Sequence, residues 1–327
     1  MTASRDTAHE TMPAVLFDGV TRRHASVVAV DDLSLTVSRG EMVGIIGPDG
    51  AGKTTTIRLA CGLLAADRGR IRILGHDPVR DHRAVTRRVG YLSQNFSLYG
   101  DLTIDENIAF FAEIHGVSRY HERRERLLDM TQLTPFRARR ADRLSGGMRQ
   151  KLALSCTLVH EPDVILLDEP TTGVDPVSRR EFWKLLAEFL EQGITIVMTT
   201  PYLDEAERCS RVALLHRGRL LAVDRPSALR DSLPGLVMEV IARPARDALE
   251  ALESMAGVAD VQAFGERAHV RLNQTMSDGA DGRIRRALRD ADISVVDVRP
   301  VRASLEDVFI ERIATADRDA RQPAEVS

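Results

Sequence analysis

The sequence has no hydrophobic run long enough to cross a membrane. Of its 327 residues, 43% are apolar, but no apolar run approaches the roughly 18 residues that a spanning helix requires. The first dozen residues are polar and contain no hydrophobic segment of the kind found in secretory signals. The sequence therefore predicts a soluble chain that reaches a membrane only through a partner.

Cysteine and unbalanced charge are also scarce. The three cysteines, Cys61, Cys156 and Cys209, are far apart and lack the spacing of metal ligands, which indicates reduced thiols in a cytosolic protein. The 45 basic and 48 acidic residues are interleaved and leave a net charge of −3. Because such a surface has no domain-wide positive field, we expect no nucleic-acid partner.

The pattern of apolar runs predicts two domains between two polar tails. Strand-like and helical stretches alternate over residues 13–230, as in an α/β domain with a mainly parallel sheet. Helical patterns dominate about 95–159, which we expect to be a helical subdomain inserted into that domain. Residues 235–314 follow the order β-α-β-β-α-β and are predicted to form a small α+β, ferredoxin-like domain. Residues 1–12 and 315–327 are predicted to be disordered tails.

A phosphate-binding loop is predicted where the strand at 41–46 ends. The next segment, Gly47-Pro-Asp-Gly-Ala-Gly-Lys-Thr54, is a complete match to G-x-x-x-x-G-K-[ST], and a helix follows it. The glycines let backbone N–H groups surround phosphates, while Lys53 reaches the terminal phosphates and the Thr54 hydroxyl holds Mg²⁺. The residues predicted to bind ATP in this loop are Gly47, Pro48, Asp49, Gly50, Ala51, Gly52, Lys53, Thr54 and Thr55.

Asp49 is an unusual residue for such a loop. A carboxylate about 4 Å from a phosphate charge would cost on the order of 4 kcal/mol at an effective dielectric constant of 20. We therefore expect the Asp49 side chain to point away from the phosphates, or towards a cation or a neighbouring subunit.

A second apolar strand, Val164-Ile-Leu-Leu-Asp168, ends in two carboxylates. Asp168 is predicted to complete the Mg²⁺ shell, and Glu169 to polarise the water that attacks the γ-phosphate. Such a strand end is common when taken alone. Combined with the phosphate loop, it predicts phosphoryl chemistry.

Five motifs in a fixed order resemble those of the ATP-binding subunits of ABC transporters. Besides the two described above, they are Leu144-Ser-Gly-Gly-Met-Arg-Gln-Lys151, Tyr91-Leu-Ser-Gln94 and Gly173-Val-Asp175. The resemblance covers about residues 14–230. It implies the P-loop fold of ABC ATPases, with ATP and Mg²⁺ as ligands and hydrolysis to ADP and phosphate as the activity.

The resemblance also implies a head-to-tail pair of ATPase subunits. Each ATP would lie between the phosphate loop of one subunit and the signature of the other, so Ser145, Gly146, Gly147 and Met148 would serve the partner's nucleotide. Ser145 would begin a helix whose N-terminus faces the γ-phosphate. The other implied roles are Mg²⁺ binding and catalysis by Gln94, catalysis by Lys53 beside Glu169, communication between the two sites by Asp175, and stacking on adenine by His24.

Finer similarity indicates the exporter branch, whose membrane permeases are separate subunits. The stretches that carry this similarity are Gly47–Gly52, Gly146–Leu154, Tyr202–Glu207 and Ala303–Phe309. The branch implies export, as in multidrug efflux, and a position at the cytoplasmic face of the cell membrane. The resemblance does not identify the exported compound.

Pro201 departs from the family pattern, which has a histidine at this position. That histidine contacts the γ-phosphate and helps to hold Glu169 and the attacking water. In one interpretation, Thr199 or Thr200 replaces it through a hydroxyl group. In the other, the site has lost ~10²- to 10³-fold in rate, as when one transition-state hydrogen bond is deleted. The second interpretation favours a pair with a better equipped second ATPase subunit, and the alternative is a homodimer.

Two further functions are compatible with the sequence. A regulatory subunit would bind ATP, hydrolyse very little of it and act by occupancy. A non-transport relative in translation or DNA repair would be expected to carry tandem ATPase domains, long heptad arms or a basic linker, and the sequence has none of these features.

Overall fold

The computed structural model describes residues 12–95, 98–273 and 279–321. The chain divides into two compact units between Pro226 and Ser227, a few residues before the boundary predicted from the sequence. Each unit has its own β-sheet and its own hydrophobic core. None of the helices in the described ranges is long and apolar enough to cross a membrane.

The first unit contains two sheets. Its strands are β1 (Val15–His24), β2 (Val27–Val37), β3 (Met42–Ile46), β4 (Arg68–Ile73), β5 (Val89–Leu92), β6 (Val164–Asp168), β7 (Thr195–Thr200), β8 (Arg211–His216) and β9 (Arg219–Asp224). The smaller sheet is antiparallel with the order β2-β1-β4. The larger sheet has the order β5-β6-β7-β3-β8-β9, and only its edge strand β9 is antiparallel to its neighbour.

Three adjacent strands of the larger sheet, β6, β7 and β3, carry the site. Strands in the middle of a parallel sheet are covered on both faces and are therefore mostly apolar, and every residue of these three strands is buried. Strand β7 nevertheless contains Thr195, Thr199 and Thr200, whose buried hydroxyl groups need partners. Because parallel strands end at the same edge, the residues that follow β3, β6 and β7 come together there.

Seven helices accompany the strands of the first unit in the described residues. They are α1 (Lys53–Ala60), α2 (His82–Thr86), α3 (Ile104–Ile114), α4 (His121–Met130), α5 (Gly146–Leu158), α6 (Pro176–Glu191) and α7 (Leu203–Ala206). A further helix, α8 (Pro226–Asp231), begins at the division between the two units. The described residues between β5 and β6 contain α3, α4, α5 and two short 3-10 turns, with no β-strand.

Arg137 joins α3 to α4. Its Nε donates to Asp105 Oδ2 at 2.8 Å, and its two terminal nitrogens donate to the Glu125 carboxylate at 2.8 Å each. These hydrogen bonds lower the pKa of Glu125 to about 2. The pairing therefore stays charged across the physiological pH range.

The second unit is a four-stranded antiparallel sheet with three helices. The elements are β10 (Leu236–Arg243), α9 (Ala245–Glu253), β11 (Val258–Phe264), β12 (Arg267–Leu272), α10 (Ala280–Asp290), β13 (Ser294–Val301) and α11 (Leu305–Arg321). The strand order is β11-β12-β10-β13. Up to β13 the elements follow the β-α-β-β-α-β order expected for a ferredoxin-like unit.

Helix α11 is longer than the sequence suggested. Residues 315–321 belong to it, so the expectation of a disordered tail from residue 315 is wrong for this part, and residues 322–327 lie outside the described residues. The helix begins at a capping box in which Asp307 N donates to Ser304 Oγ at 3.1 Å and Ser304 N donates to Asp307 Oδ2 at 2.7 Å. Asp307 also lies 3.1 Å from His269 Nδ1 of β12, which fixes the start of the helix against the sheet.

We predict that Phe182→Ala destabilises the first unit by about 3–5 kcal/mol, because it removes a fully buried ring from α6. The adjacent Trp183 is the only tryptophan of the chain and is itself buried, so its fluorescence during urea unfolding reports on this unit. Val177→Ala in the same helix is the control, since Val177 is 70% exposed. Equal unfolding midpoints for the two variants would contradict the assignment of this face to the core.

Candidate active site

The loop between β3 and α1 is shaped to receive an anion. Gly52, the residue before α1, has φ 103°, and a Cβ atom there would lie 2.3 Å from the Ala29 carbonyl oxygen, so only glycine fits. No side chain caps the start of α1, which leaves its first N–H groups directed out of the helix N-terminus. Such groups bind phosphates well, because they add hydrogen bonds to the positive end of the helix dipole.

Lys53 lies at the centre of this loop with its side chain only 4% exposed. Its Nζ donates to Gly47 O at 2.8 Å and Pro48 O at 3.2 Å, and lies 3.1 Å from Glu169 Oε1. The loop carbonyls therefore aim the ammonium group at the cleft. Asp49 Oδ1 is 4.0 Å from the same nitrogen, and the Asp49 side chain is fully exposed.

Asp168 ends β6 as a buried carboxylate held by two hydroxyl groups. Thr54 Oγ1 donates to Asp168 Oδ1 at 3.0 Å, and Thr199 Oγ1 donates to the same oxygen at 2.8 Å. Thr54 belongs to the phosphate loop and Thr199 to the neighbouring strand β7. The two hydroxyls thus fix the carboxylate between the loop and the sheet edge.

Glu169 adopts a backbone conformation that is uncommon for a residue with a side chain. Its φ is 47°, in the left-handed region. Its N–H donates to Thr199 Oγ1 at 2.9 Å, and its carboxylate is shared between Lys53 and Gln94, whose Nε2 donates to Glu169 Oε2 at 3.1 Å. The contacts of its backbone N–H and of its carboxylate together direct the side chain into the cleft.

The negative charge of Asp168 is felt by two neighbouring groups. Burial raises the pKa of the Cys61 thiol, and the nearby Asp168 carboxylate raises it further. The pKa of Tyr91 is raised by the same two causes, again with burial as the larger. Cys61 therefore stays a protonated thiol.

The structure brings most of the predicted nucleotide-binding residues to one cleft. The residues that line it are Val27, Ala29, Asp49, Gly50, Ala51, Gly52, Lys53, Thr54, Thr55, Gln94 and Glu169. Gly47 and Pro48 contribute through their carbonyl contacts with Lys53. His24 does not line the cleft and is exposed at the end of β1, where it pairs with Val27. The sequence interpretation missed Val27 and Ala29, which have no recognisable motif.

The residues expected to serve a partner's nucleotide lie outside this cleft. Ser145 caps α5 by accepting a hydrogen bond from Met148 N at 3.3 Å. Gly146 instead borders a second cleft, which Gln94 and Gly173 also line. Gly147 is buried, and a Cβ atom there would lie 2.6 Å from Ser178 Cβ in α6.

Asp175 is the N-cap of α6. Its Oδ1 accepts from Val177 N and Ser178 N at 3.0 Å each. Hydrogen bonds from the side chain and the backbone of Ser178 lower its pKa. The carboxylate is thus ionised and held at the start of the helix.

The threonines before Pro201 have separate partners. Thr199 binds Asp168 and Glu169, as described above, whereas Thr200 Oγ1 donates to Glu205 Oε2 at 2.7 Å. Both threonines are fully buried, and neither lines the cleft. Of the two threonines, only Thr199 holds Glu169.

We predict that Gly147→Ala destabilises the chain by about 1–3 kcal/mol, the usual cost of forcing a methyl group into a packed contact, because Ser178 leaves no room for it. Gly146→Ala is the matched control, since nothing lies within 4 Å of a Cβ atom at that position. Urea unfolding of the two variants is the measurement. A loss that is the same for both would show that the contact between α5 and α6 is not tight.

Known proteins are similar to this chain in sequence and in fold. The family model described as ABC transporter matches residues 30–172. The probable multidrug ABC transporter ATP-binding protein YbhF of Escherichia coli is 39% identical over 292 residues, which are 88% of this chain. The match covers 50% of that relative, so this chain spans about half of its length.

Other relatives match over almost their whole length. The daunorubicin resistance ATP-binding protein DrrA3 of Streptomyces coeruleorubidus is 35% identical, with 95% of this chain and 99% of that protein covered. A solved ATP-binding subunit of an ABC transporter is 30% identical with a TM-score of 0.62, covering 67% of this chain and 92% of that one. A dimeric bacterial ABC transporter cassette is 26% identical with a TM-score of 0.58, covering 64% and 98%.

Proposed function

The chain belongs to the family of ABC transporter ATP-binding subunits, and on that premise we propose that it binds and hydrolyses ATP to drive export through separate membrane permeases. The observation that carries the proposal is the convergence of Lys53, Thr54, Asp168 and Glu169 at one sheet edge. Export is supported by the names of the relatives, which include drug-resistance proteins and a Nod factor export protein of Paraburkholderia xenovorans.

Triphosphate binding follows from the charge of the loop. The N–H groups at the start of α1 and the Lys53 ammonium face the same cleft, so a polyphosphate satisfies several donors at once. An incoming phosphate oxygen would replace Glu169 as the anionic partner of Lys53. Glu169 would then be free to orient a water molecule.

The donors near Asp168 fit a magnesium ion. Mg²⁺ prefers oxygen ligands and is usually held by one or two carboxylates together with substrate phosphates. Thr54 and Asp168 present such oxygens, with 3.0 Å between Oγ1 and Oδ1. No group of three or more acidic, histidine or cysteine side chains that could hold a metal by themselves occurs in the described residues, so the phosphates would supply the remaining ligands. The ion would neutralise charge that develops on the phosphate oxygens.

Hydrolysis requires that Glu169 polarises the attacking water. Gln94 and Lys53 hold its two carboxylate oxygens from opposite sides, which limits the positions that a water can take. Gln94 belongs to the segment after β5, so movement of that segment would change the orientation of Glu169. The hydrogen bond between Gln94 and Glu169 would couple nucleotide hydrolysis in the cleft to movement of this segment at the surface of the subunit.

A second ATPase subunit would complete the site. The signature residues cap and begin α5 outside the phosphate cleft, and Gly146 is open to a partner. The N-terminus of α5 would therefore face the nucleotide of the other subunit. Because Pro201 removes a phosphate contact from this chain, we propose that the second subunit is a different and more active ATPase.

Membrane permeases would dock beside Gln94. The described residues that follow Gln94 in the chain include exposed apolar side chains. Tyr99 is 46% exposed and packs on Phe110 at 4.5 Å between ring centroids, and Ile114, four residues after Phe110 in α3, is 61% exposed. Asn107 is buried; its side-chain oxygen accepts from Tyr99 N at 3.0 Å and its side-chain nitrogen donates to Tyr99 O at 3.1 Å, which fixes the backbone at Tyr99. Exposed apolar side chains of this kind suit a helix of a permease at the cytoplasmic face of the membrane.

We predict that Lys53→Ala abolishes magnesium-dependent ATP binding, whereas Glu169→Gln keeps the affinity and stops turnover. The first substitution removes the buried cation of the phosphate site, and the second removes only the base. Equilibrium binding of fluorescent ATP and phosphate release measure the two effects. Unchanged affinity of Lys53→Ala would contradict the site, and the same low turnover in wild type and Glu169→Gln would favour a regulatory subunit.

We also predict that Pro201→His raises turnover by about 10- to 100-fold, since one added transition-state hydrogen bond is worth up to ~10²–10³. Pro201→Ala is the control, because it removes the ring without adding an imidazole. Phosphate release by the full chain is the measurement. Equal turnover of the two variants would contradict the idea that a missing phosphate contact limits the rate.

A further inference from the structure

Glu169 has to be held in its unusual conformation by its surroundings. A residue with a side chain at φ 47° is strained by roughly 1 kcal/mol or more relative to its relaxed backbone. Its two shorter carboxylate contacts, with Lys53 and Gln94, are to residues that would exchange partners if a nucleotide binds, and the third, from Thr172 Oγ1, is long at 3.4 Å. The backbone contact with Thr199 does not depend on a ligand.

We infer that Thr199 is a positioning residue for hydrolysis, which rests on the proposed function. Its single hydroxyl group donates to Asp168 Oδ1 at 2.8 Å and accepts from Glu169 N at 2.9 Å. One side chain therefore fixes two consecutive acidic residues relative to each other. Neither the family match nor the names of the relatives assigns a role to this threonine.

The pairing of β6 with β7 puts the Thr199 hydroxyl in this position. Asp168 is the register partner of Thr199 in the parallel ladder, and both side chains are buried. The same N–H of Glu169 also donates to the Thr199 carbonyl oxygen at 3.2 Å, so its hydrogen bond is divided between the side chain and the main chain of Thr199. The hydroxyl uses its single donor on Asp168 and accepts from Glu169, and it thereby holds the acidic pair from the strand that ends just before Pro201.

Thr195 of the same strand offers a matched control. It is also buried, and its Oγ1 also accepts from a backbone N–H, that of Gly40 at 3.0 Å. It lies at the opposite end of β7 and does not line the cleft. Replacing either threonine by valine removes a buried hydroxyl of the same kind, but only one of them faces the acidic pair.

The test compares Thr199→Val, Thr199→Ser and Thr195→Val in the full-length chain. We expect Thr199→Val to lower kcat by about 10- to 100-fold, the range associated with small misplacements of catalytic groups, while KM for ATP changes by less than about threefold because the loop and Lys53 are untouched. Thr199→Ser keeps the hydroxyl and should have most of the wild-type rate. Thr195→Val should have the full wild-type rate. Single-turnover measurements with excess enzyme detect slow rates, and the rate of Glu169→Gln gives the lower limit.

Hydrogen exchange at the Glu169 amide gives a readout that is independent of turnover. Thr199→Val should accelerate this exchange without nucleotide, because only the longer bond to the main-chain carbonyl of residue 199 remains, whereas Thr199→Ser and Thr195→Val should leave it close to wild type. Equal kcat for Thr199→Val and Thr195→Val would overturn the inference, as would a Thr199→Ser variant that is as slow as Thr199→Val. If wild type turns over no faster than Glu169→Gln, hydrolysis itself is disproved, and unaltered exchange in Thr199→Val then refutes the positioning role separately.

Discussion

The buried ammonium group of Lys53 sets the geometry of the whole site. A charge removed from water costs several kcal/mol unless it is paired and hydrogen bonded, and the Lys53 side chain is only 4% exposed. Two loop carbonyls and Glu169 satisfy it. The curvature of the loop and the placement of the acidic strand end are therefore parts of one charge-compensated arrangement, in which a phosphate can take the place of the carboxylate.

That exchange links binding to chemistry. Glu169 is the counterion of Lys53, and Gln94 contacts it from the other side. In the proposed mechanism it orients water once a phosphate has taken its place. Because Gln94 precedes the segment of Tyr99 in the chain, the same carboxylate would connect the nucleotide cleft with the proposed permease surface. The signature at the start of α5 belongs to a different cleft, which suits a subunit that supplies parts to two composite sites.

The phosphate loop could be predicted from sequence because its chemistry depends on residues that are adjacent in the chain. The role of Thr199 could not, since two consecutive threonines precede Pro201 and successive side chains of a strand point to opposite faces. The choice between them depends on the register with β6, which pairs Thr199 with Asp168 and leaves Thr200 to Glu205. Register arises from long-range pairing that local sequence does not reveal.

The end of α11 was predicted wrongly for a similar reason. Its charged and small residues have the composition of a disordered tail, but the Ser304–Asp307 cap and the contact of Glu311 with Arg271 of β12 stabilise the helix from outside the segment. Composition describes what a segment can do alone, whereas tertiary contacts decide what it does in the folded unit. The β-α-β-β-α-β pattern was easier to predict, because each of its elements has its own periodicity.

A crystal structure of the full-length chain with a non-hydrolysable ATP analogue and Mg²⁺ would test the central claim most directly. The account predicts that the triphosphate lies against the N-terminus of α1 with Lys53 Nζ on a phosphate oxygen, and that the 3.1 Å contact between Lys53 and Glu169 is broken. A nucleotide bound elsewhere, or a Lys53–Glu169 pair that persists beside bound triphosphate, would contradict it.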